Sequence, residues 1–515
     1  MSNVERAKVS EVKVGSKSYF KDDIQTILKW TISHRILAIV TLLLSAKFVQ
    51  HFDSSASLQL ILDKESRTST SFGLLRHYAF SSLRWDVLHF LGVASPRPLP
   101  LSDQLDLSAP VQQQFWSPLK GFGGGLQYEN SIAFQPGIIW LLRLTGYPSY
   151  TTEEGPRSWD PIRSLWITST LATIISITLP VQFYILTSLL TKNRRLAKIS
   201  SFLSIFSFAP ATLITPTPEP FFAFFALIGH LCLATSSLQY VKNKFLSLPF
   251  LTFAASISFG IANVFRANGV LLSGFVIWRL LWQDDVALSS VILRALWTLL
   301  LAPVTLMPIF LTQTWAFNRI CTNSFEAARP WCNEKLVIPY NFIQSHYWNV
   351  GPFRYWTLSQ LPNWILASPV LYLIARWLTS YYSADIQSVI DRTLWPFSVS
   401  EQNQGEESTR PNVKQSAAAD TRRLSVNVRS APQLLPFAHY TLALFLILIV
   451  SSHVQIALRF ATQGALPVVW WSAAELVEKR SLLRHGKLSL NTLLTLSIAW
   501  QTISIVLYAG FYPPA

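Results

Sequence analysis

Long apolar runs separated by short polar segments dominate the chain from about residue 32 onward. Because about 20 apolar residues in a helix match the hydrocarbon thickness of a bilayer, these runs predict spanning helices. They fall at about 32–52, 160–190, 196–214, 220–240, 246–264, 269–283, 290–314, 361–380, 437–457, 465–478 and 488–510, about eleven in all, several of them short and proline-interrupted. Two longer stretches, 53–160 and 315–360, are too rich in polar residues, Pro and Gly to span and read as large loops. Within the first, Ala133 to Leu144 is apolar with a proline near its start and reads as a helix lying on the membrane.

The pattern predicts an all-α polytopic membrane protein. Residues 1–30 form a cytosolic segment carrying Lys8, Lys13, Lys17, Lys21 and Lys29. With no small-residue cleavage site behind it, the first apolar run reads as a retained signal anchor. A transmembrane core over 31–380 contains the two large loops, and residues 437–515 return the chain to the same domain. Between them lies an insert, 381–436, containing Glu401, Gln402, Asn403, Gln404, Gly405, Glu406, Glu407 and Ser408 and no apolar periodicity, which reads as a disordered cytosolic linker. No internal repeat supports a transporter built from duplicated halves.

Composition sharpens this picture. Half of the 515 residues are hydrophobic and only 13% are charged, more apolar surface than a soluble core would hide. A formal charge of +15 raises the question of nucleic acid, but the basic residues gather in short segments between apolar runs. Simple alternation puts Lys192, Arg194, Arg195 and Lys198, then Lys242 and Lys244, then Lys479, Arg480, Arg484 and Lys487 on one side. The opposite side, around 215–219, Arg266 and Arg459, is nearly free of Lys and Arg. This is the positive-inside bias of a membrane protein; it makes both large loops lumenal and removes the nucleic-acid reading. Of three cysteines, Cys321 and Cys332 share a lumenal loop and are disulfide candidates, while Cys232 sits in an apolar run as a free thiol.

The stretch Ser82-Leu83-Arg84-Trp85-Asp86-Val87-Leu88-His89-Phe90 places a carboxylate and an imidazole on one helix face. It has two readings: one wall of a catalytic cleft, or an interfacial amphipathic helix with its aromatics among lipid headgroups. Other polar residues collect at the same side of the predicted bundle: Glu129 and Asn130, Glu219, Arg266 and Asn268, then Gln344, His346, Tyr347, Trp348, Asn349 and Arg354, then His453, Gln455 and Arg459. Ionisable groups at membrane depth are costly and mark function, although those near helix ends also reach headgroups by themselves. Arg266 and Arg459 suit a phosphate, whereas Glu219 equally suits the dipole at a helix start. Gly121 to Gly125 lacks the strand and helix of a nucleotide loop and reads as a turn. Nothing forms a zinc-type cluster, a Walker loop or a serine triad, so no metal and no cofactor is expected, a carboxylate-only divalent site shared by Asp86 and Glu129 being the alternative.

Six blocks, taken together, resemble the GPI mannosyltransferase 2 (PIG-V) family, in its fungal form. They are Arg84 to Leu91, Tyr128 to Gly137, Phe265 to Gly269, Phe342 to Tyr355, Gln360 to Asn363 and His453 to Phe460, in family order across most of the chain. The resemblance implies a GT-C type glycosyltransferase of the endoplasmic reticulum membrane with a lumenal active site. It implies α-1,6 transfer of the second mannose from dolichyl-phosphate mannose to a mannosyl-glucosaminyl-acylphosphatidylinositol acceptor, with Asp86 as catalytic base. Arg84, His89, Glu129, Asn130, Glu219, Arg266, Asn268, Gln344, Tyr347, Trp348, Asn349, Arg354, Gln455 and Arg459 are then expected to bind substrate, and a small membrane accessory subunit is an expected partner. The competing expectations are another dolichol-phosphate-sugar-dependent transferase, acting on N-glycan precursors or O-mannosylating proteins, and a lipid scramblase or transporter.

Overall fold

The structure, a computed structural model, describes residues 3–52, 73–96, 132–147, 159–237, 244–282, 288–318, 321, 329–333, 338–394, 432–482 and 490–512. Among these residues the regular elements are all helical. In chain order they are α1 (Asn3–Phe48), α2 (Gly73–Ser82), α3 (Trp85–Ala94), α4 (Pro136–Gly146), α5 (Pro161–Thr191), α6 (Arg194–Ile205), α7 (Glu219–Ser236), α8 (Lys244–Phe265) and α9 (Ser273–Leu281). There follow α10 (Leu288–Phe317), α11 (Pro339–Trp348), α12 (Leu361–Tyr382), α13 (Ile386–Leu394), α14 (Leu435–Val450), α15 (Ile456–Phe460), α16 (Pro467–Leu482) and α17 (Leu490–Ala509).

Eight of the described segments are long and apolar enough to cross a membrane: Phe20–Phe48, Pro161–Thr191, Glu219–Ser236, Leu248–Phe265, Val291–Phe317, Leu358–Tyr382, Pro432–Val450 and Asn491–Ala509. Of the expected runs, those at 196–214, 269–283 and 465–478 form shorter helices: α6 of 12 residues, a 3-10 segment Ala267–Leu272 leading into α9 of 9 residues, and α16 of 16 residues. At 1.5 Å per residue, twelve residues reach roughly 18 Å, little more than half of a hydrocarbon core of about 30 Å. Each run carries charge as well, Lys198 in the first, Arg279 in the second and Glu475 and Glu478 in the third.

The backbone breaks after α6. Residues 206–218 contain Pro210, Pro216 and Pro218, and the chain from 203 to 223 is buried without interruption. Irregular backbone at membrane depth survives only where protein rather than lipid satisfies its polar groups. That condition is met by side chains from distant helices. Arg35 on α1 donates to the Ile205 carbonyl at 3.3 Å, Gln463 donates to the Ser204 carbonyl at 3.0 Å, and the Tyr78 hydroxyl donates to the Ile214 carbonyl. Arg35 is 1% exposed. A cation inside a spanning helix has a reason here, since it meets the negative end of the α6 dipole.

A second break separates α15 from α16, and there the chain presses against α7. A Cβ on Gly464 would lie 2.2 Å from the Ala223 carbonyl oxygen, so no larger residue fits without displacing backbone. The core is continuous through these contacts, from Phe183 on α5 and Phe222 on α7 to Phe259 on α8 and Trp471 on α16.

The two ends of the bundle differ in charge. Asp23, near the start of the spanning part of α1 (Phe20–Phe48), takes Arg194 at 2.7 Å, Lys198 at 2.8 Å and the Tyr184 hydroxyl at 2.9 Å, which fixes the basic segment at that end. At the other end of α1 the Phe52 amide donates to the Gly510 carbonyl at 2.8 Å, and Arg84 at the start of α3 donates to the neighbouring Ala509 carbonyl at 3.0 Å. From Asp23 to Phe48 the helix rises about 38 Å, a membrane's width. The positive segment and α3 lie at opposite ends.

Two expected boundaries shift. The insert expected to be disordered from 381 contains α13, whose first turn is capped by Asp385 accepting from the Ser388 amide and whose Thr393 carbonyl accepts from Trp282. His439 on α14 bridges Tyr382 and Thr393, docking this helix on the bundle. Residues 395–431 lie outside the described residues, as do Gly121 to Gly125. The expected surface helix at 133–144 is α4: it buries Ile138, Ile139 and Leu142 and leaves Trp140 and Leu144 exposed.

Candidate active site

Three of the chain's interruptions bring charge to one place. Glu219 is the first residue of α7, Arg266 follows the last residue of α8, and Arg459 lies in the short helix α15. Asp86 comes from the first turn of α3, where the helix dipole favours a carboxylate, and His89 lies three residues on.

The four charged groups form an alternating chain. Asp86 Oδ2 accepts from Arg459 Nη1 at 2.6 Å, Arg459 Nε lies 3.4 Å from Glu219 Oε1, and the same oxygen accepts from Arg266 Nη1. The Arg266 guanidinium also stands 4.6 Å over the Phe460 ring, a cation–π contact. Two carboxylates against two guanidiniums leave the cluster neutral overall. Burial grades along it: the Asp86 side chain is 35% exposed, Arg266 and Arg459 are 12% and 10%, and Glu219 is 1%. Asp86 stands at the mouth, Glu219 at the floor.

Electrostatics follow from that arrangement. Burial works to raise the Asp86 carboxyl, but Arg459 overrides it, with help from His89 and Arg266, and the group is held below the usual carboxylate range. Burial likewise opposes charge on Arg459, yet Asp86 and Glu219 hold its proton more tightly than usual. His89 is pushed down by burial against the pull of Asp86, so its imidazole is neutral at neutral pH. The pair on α3 is therefore a carboxylate beside a neutral imidazole.

An aromatic wall continues from His89. Phe134 stacks on its ring at 5.8 Å and meets Trp348 on α11 at 5.7 Å. Behind this wall Trp331, Ile343, Ile132 and Ala133 form a small apolar cluster into which Tyr347 and Trp348 pack. The disulfide between Cys321 and Cys332, with Cα atoms 5.6 Å apart, closes the cluster from the second large loop. Below it, Gln455 accepts from the Tyr355 hydroxyl at 2.7 Å, Asn363 donates to that hydroxyl at 2.9 Å, and His453 stacks on Tyr355 while bonding the Trp348 carbonyl at 2.6 Å. This network holds the start of α15 and so aims Arg459.

The expected site residues divide accordingly. Asp86, His89, Glu219, Arg266 and Arg459 converge; Asn268 lies in the turn after Arg266, its side chain against the Tyr440 hydroxyl of α14. Trp348 and Tyr347 belong to the wall and Gln455 to the supporting network. Arg84 departs from the expectation: 2% exposed, it donates to the carbonyls of Ala509, Phe80 and Leu83 and lies over the Phe511 ring, joining α3 to the chain's last helix. Its donors are spent on backbone. Asn349 is an exposed left-handed residue that ends α11, and its amide, with that of Val350, caps the Gln344 carbonyl. Arg354 is exposed and donates to Ser345. Glu129 and Asn130 lie outside the described residues. Sequence reasoning missed Gln135, 6% exposed with neither amide atom bonded, and the tyrosine hub Tyr355. A neutral amide just before the proline that opens α4 was the available signal. Among the described residues no group of three or more His, Cys, Asp or Glu could hold a metal ion.

The sequence pattern of the family described as Mannosyltransferase (PIG-V) matches residues 119–515 of the chain. The chain belongs to that family. Its PIG-V relatives include a GPI mannosyltransferase 2 of Cryptococcus neoformans, 27% identical over 87% of this chain and 92% of its own length. Another of that name from Drosophila pseudoobscura is 24% identical over 85% of this chain and 95% of its own. An Aspergillus fumigatus relative of the same name reaches 29% over 63% and 69%. Among solved structures, the apo oligosaccharyltransferase of Archaeoglobus fulgidus aligns with 94% of this chain and 56% of its own, at 12% identity and a TM-score of 0.39. This PIG-V chain is thus a glycosyltransferase of the mannosyltransferase kind with several membrane-spanning helices.

Proposed function

We propose that the chain is an endoplasmic reticulum GPI mannosyltransferase of GT-C type, adding the second mannose in α-1,6 linkage from dolichyl-phosphate mannose. The relatives' shared name supports the GPI acceptor. The observation that carries the chemistry is the chain Asp86–Arg459–Glu219–Arg266, which sets a partly open carboxylate beside two buried guanidiniums. The end of the bundle supports the lumenal side: the basic segment around Arg194 and Lys198 lies at the opposite end, where positive charge marks the cytosol.

In this reading the acceptor's 6-hydroxyl oxygen attacks the anomeric carbon of the donor, and the bond from that carbon to the phosphate oxygen breaks. The hydroxyl proton passes to Asp86, and the electron pair leaves with dolichyl phosphate. A phosphate monoester is already a weak base and needs charge neutralisation more than protonation, which Arg459 and Arg266 supply. While Arg459 grips Asp86, the carboxylate is a poor base. An incoming phosphate competes for the guanidinium, and release from it restores basicity to Asp86 when the donor is in place. His89 and Trp348 line the acceptor side.

The test is transfer of radiolabelled mannose from dolichyl-phosphate mannose to a single-mannose GPI precursor in microsomes carrying the full-length chain. Asp86→Asn is expected to abolish transfer while the protein accumulates normally. Transfer at the wild-type rate would remove Asp86 as base, and label appearing in N-glycan precursors or protein instead would reassign the acceptor.

A further inference from the structure

We infer that Gln135 forms a subsite for the vicinal hydroxyls of a hexose, beside the charged cluster. The inference rests on the sugar-transfer reading above and names how the sugar is held. Gln135 is 6% exposed and neither its amide nitrogen nor its amide oxygen has a hydrogen-bond partner. It precedes α4 as N-cap, yet its side chain does not cap that helix. A buried polar group left unbonded costs about 1–3 kcal/mol, and native structures hold few of them. Gln135 contributes two such atoms, and Glu219 Oε2 in the charged cluster is a third.

Chain neighbours fix where Gln135 stands. Phe134 before it stacks on His89 at 5.8 Å. Gly137 after it lies so close to α8 that an added Cβ would come within 2.8 Å of the Phe265 ring and 2.9 Å of the Val264 carbonyl oxygen. Gln135 is therefore held between His89 and the residue preceding Arg266. The atoms waiting there are an amide nitrogen that donates and an amide oxygen that accepts. A phosphate has no use for the acceptor and an acyl chain has no use for either. Adjacent sugar hydroxyls, each both donor and acceptor, use both.

The hexose belongs to either the donor or the acceptor, and kinetics separates the two. Full-length protein in lipid nanodiscs is compared as wild type, Gln135→Leu and Gln135→Met, with dolichyl-phosphate mannose and a synthetic single-mannose glucosaminyl-inositol phospholipid varied in turn. Because the amide is unbonded without sugar, both variants should unfold at or above the wild-type temperature, while KM for one of the two substrates rises about tenfold and kcat changes less than threefold. A turnover-independent arm uses methyl α-mannoside, which should raise the unfolding temperature of the wild type and not of the variants. Unchanged KM for both substrates in stable variants would overturn the inference, leaving those atoms to water; so would variants that both unfold well below wild type, which would make Gln135 structural. Wild-type protein protected by the glycoside yet inactive with this donor would keep the subsite and sink only the transfer reading.

Discussion

Asp86 and Arg459 are 373 positions apart in the chain and 2.6 Å apart in space. Had the two faced opposite ends of the bundle, no sugar-transfer site would exist. Their contact couples α3 to the short helix α15, and it makes Arg459 the hinge of the cluster because the same guanidinium also faces Glu219.

Exchanging Arg459 for lysine separates geometry from charge. A guanidinium serves two carboxylates at once through its fork, whereas an ammonium is a single point. Arg459→Lys should keep the fold and lower transfer by roughly tenfold or more, one shared hydrogen bond's worth. Asp86→Asn should cost about 100-fold or more in kcat, the scale of a lost general base. Initial rates with saturating donor, measured beside unfolding temperatures, check both; an Arg459→Lys protein of full activity would show that the fork is not used.

Glu219 carries a different prediction, about stability. It is 1% exposed and is the shared partner of two arginines. Replacing it by alanine leaves Arg266 buried without its carboxylate, a loss on the order of 3–5 kcal/mol by comparison with other broken buried pairs. Glu219→Ala should therefore fail to accumulate in membranes, and Glu219→Gln should accumulate at reduced level. Detergent-extracted fluorescence-detected chromatography reads the outcome, and a monodisperse Glu219→Ala protein of wild-type yield would contradict it.

What could be read in advance, and what could not, follows from the range of each signal. Apolar runs gave α5, α7, α8, α10, α12 and α17 nearly to the residue, because hydropathy is local. The runs at 196–214 and 465–478 misled because a buried irregular segment such as 206–218 is as apolar as a helix; what tells them apart is the distant Arg35, Gln463 and Tyr78 that satisfy it. Lone cations drew attention to Arg266 and Arg459, which the fold pairs with Glu219 and Asp86, since a charge in an apolar run demands a partner. Arg84 misled for the complementary reason: its partners are backbone carbonyls, including Ala509 at the far end of the chain, which no side-chain pattern records. Gln135 was passed over because nothing local in the sequence records that its side chain is buried and unbonded.

The pH dependence has a definite sign. Asp86 is held below its ordinary 3.8, so the stability it contributes is present above that value and is lost as pH falls through its lower folded value. His89 is held below its ordinary 6.5, so the unfolded chain takes up its proton first and stability declines as pH falls below 6.5. The wild type should therefore lose stability in two stages, and His89→Gln should flatten the first. Neither group changes charge in the folded protein near neutrality, so kcat/KM should show no acid limb at 6.5 from either of them. Unfolding temperatures and rates across this interval, wild type against His89→Gln, decide it; an unchanged first stage would mean that His89 titrates alike folded and unfolded.

The disulfide tests both stability and sidedness. Cys321 and Cys332 close a loop with a sequence separation of 11, and the bridge holds Trp331, 1% exposed, against Ile132 and Ile343 behind the Phe134–Trp348 wall. Closing a loop of this size is worth about 2–4 kcal/mol, much of it through the unfolded chain. Cys332→Ser should lower the unfolding temperature and slow transfer, because the wall it supports stacks on His89 beside Asp86. A bridge persists in an oxidising lumen and not in the cytosol. In intact microsomes a maleimide reagent should therefore label these two cysteines only after reduction, with Cys232 replaced by serine to remove the third thiol. Labelling without reductant would place that loop in a reducing compartment, and with it the cluster formed by Asp86, Arg459, Glu219 and Arg266, whose orientation depends on the same end of the bundle.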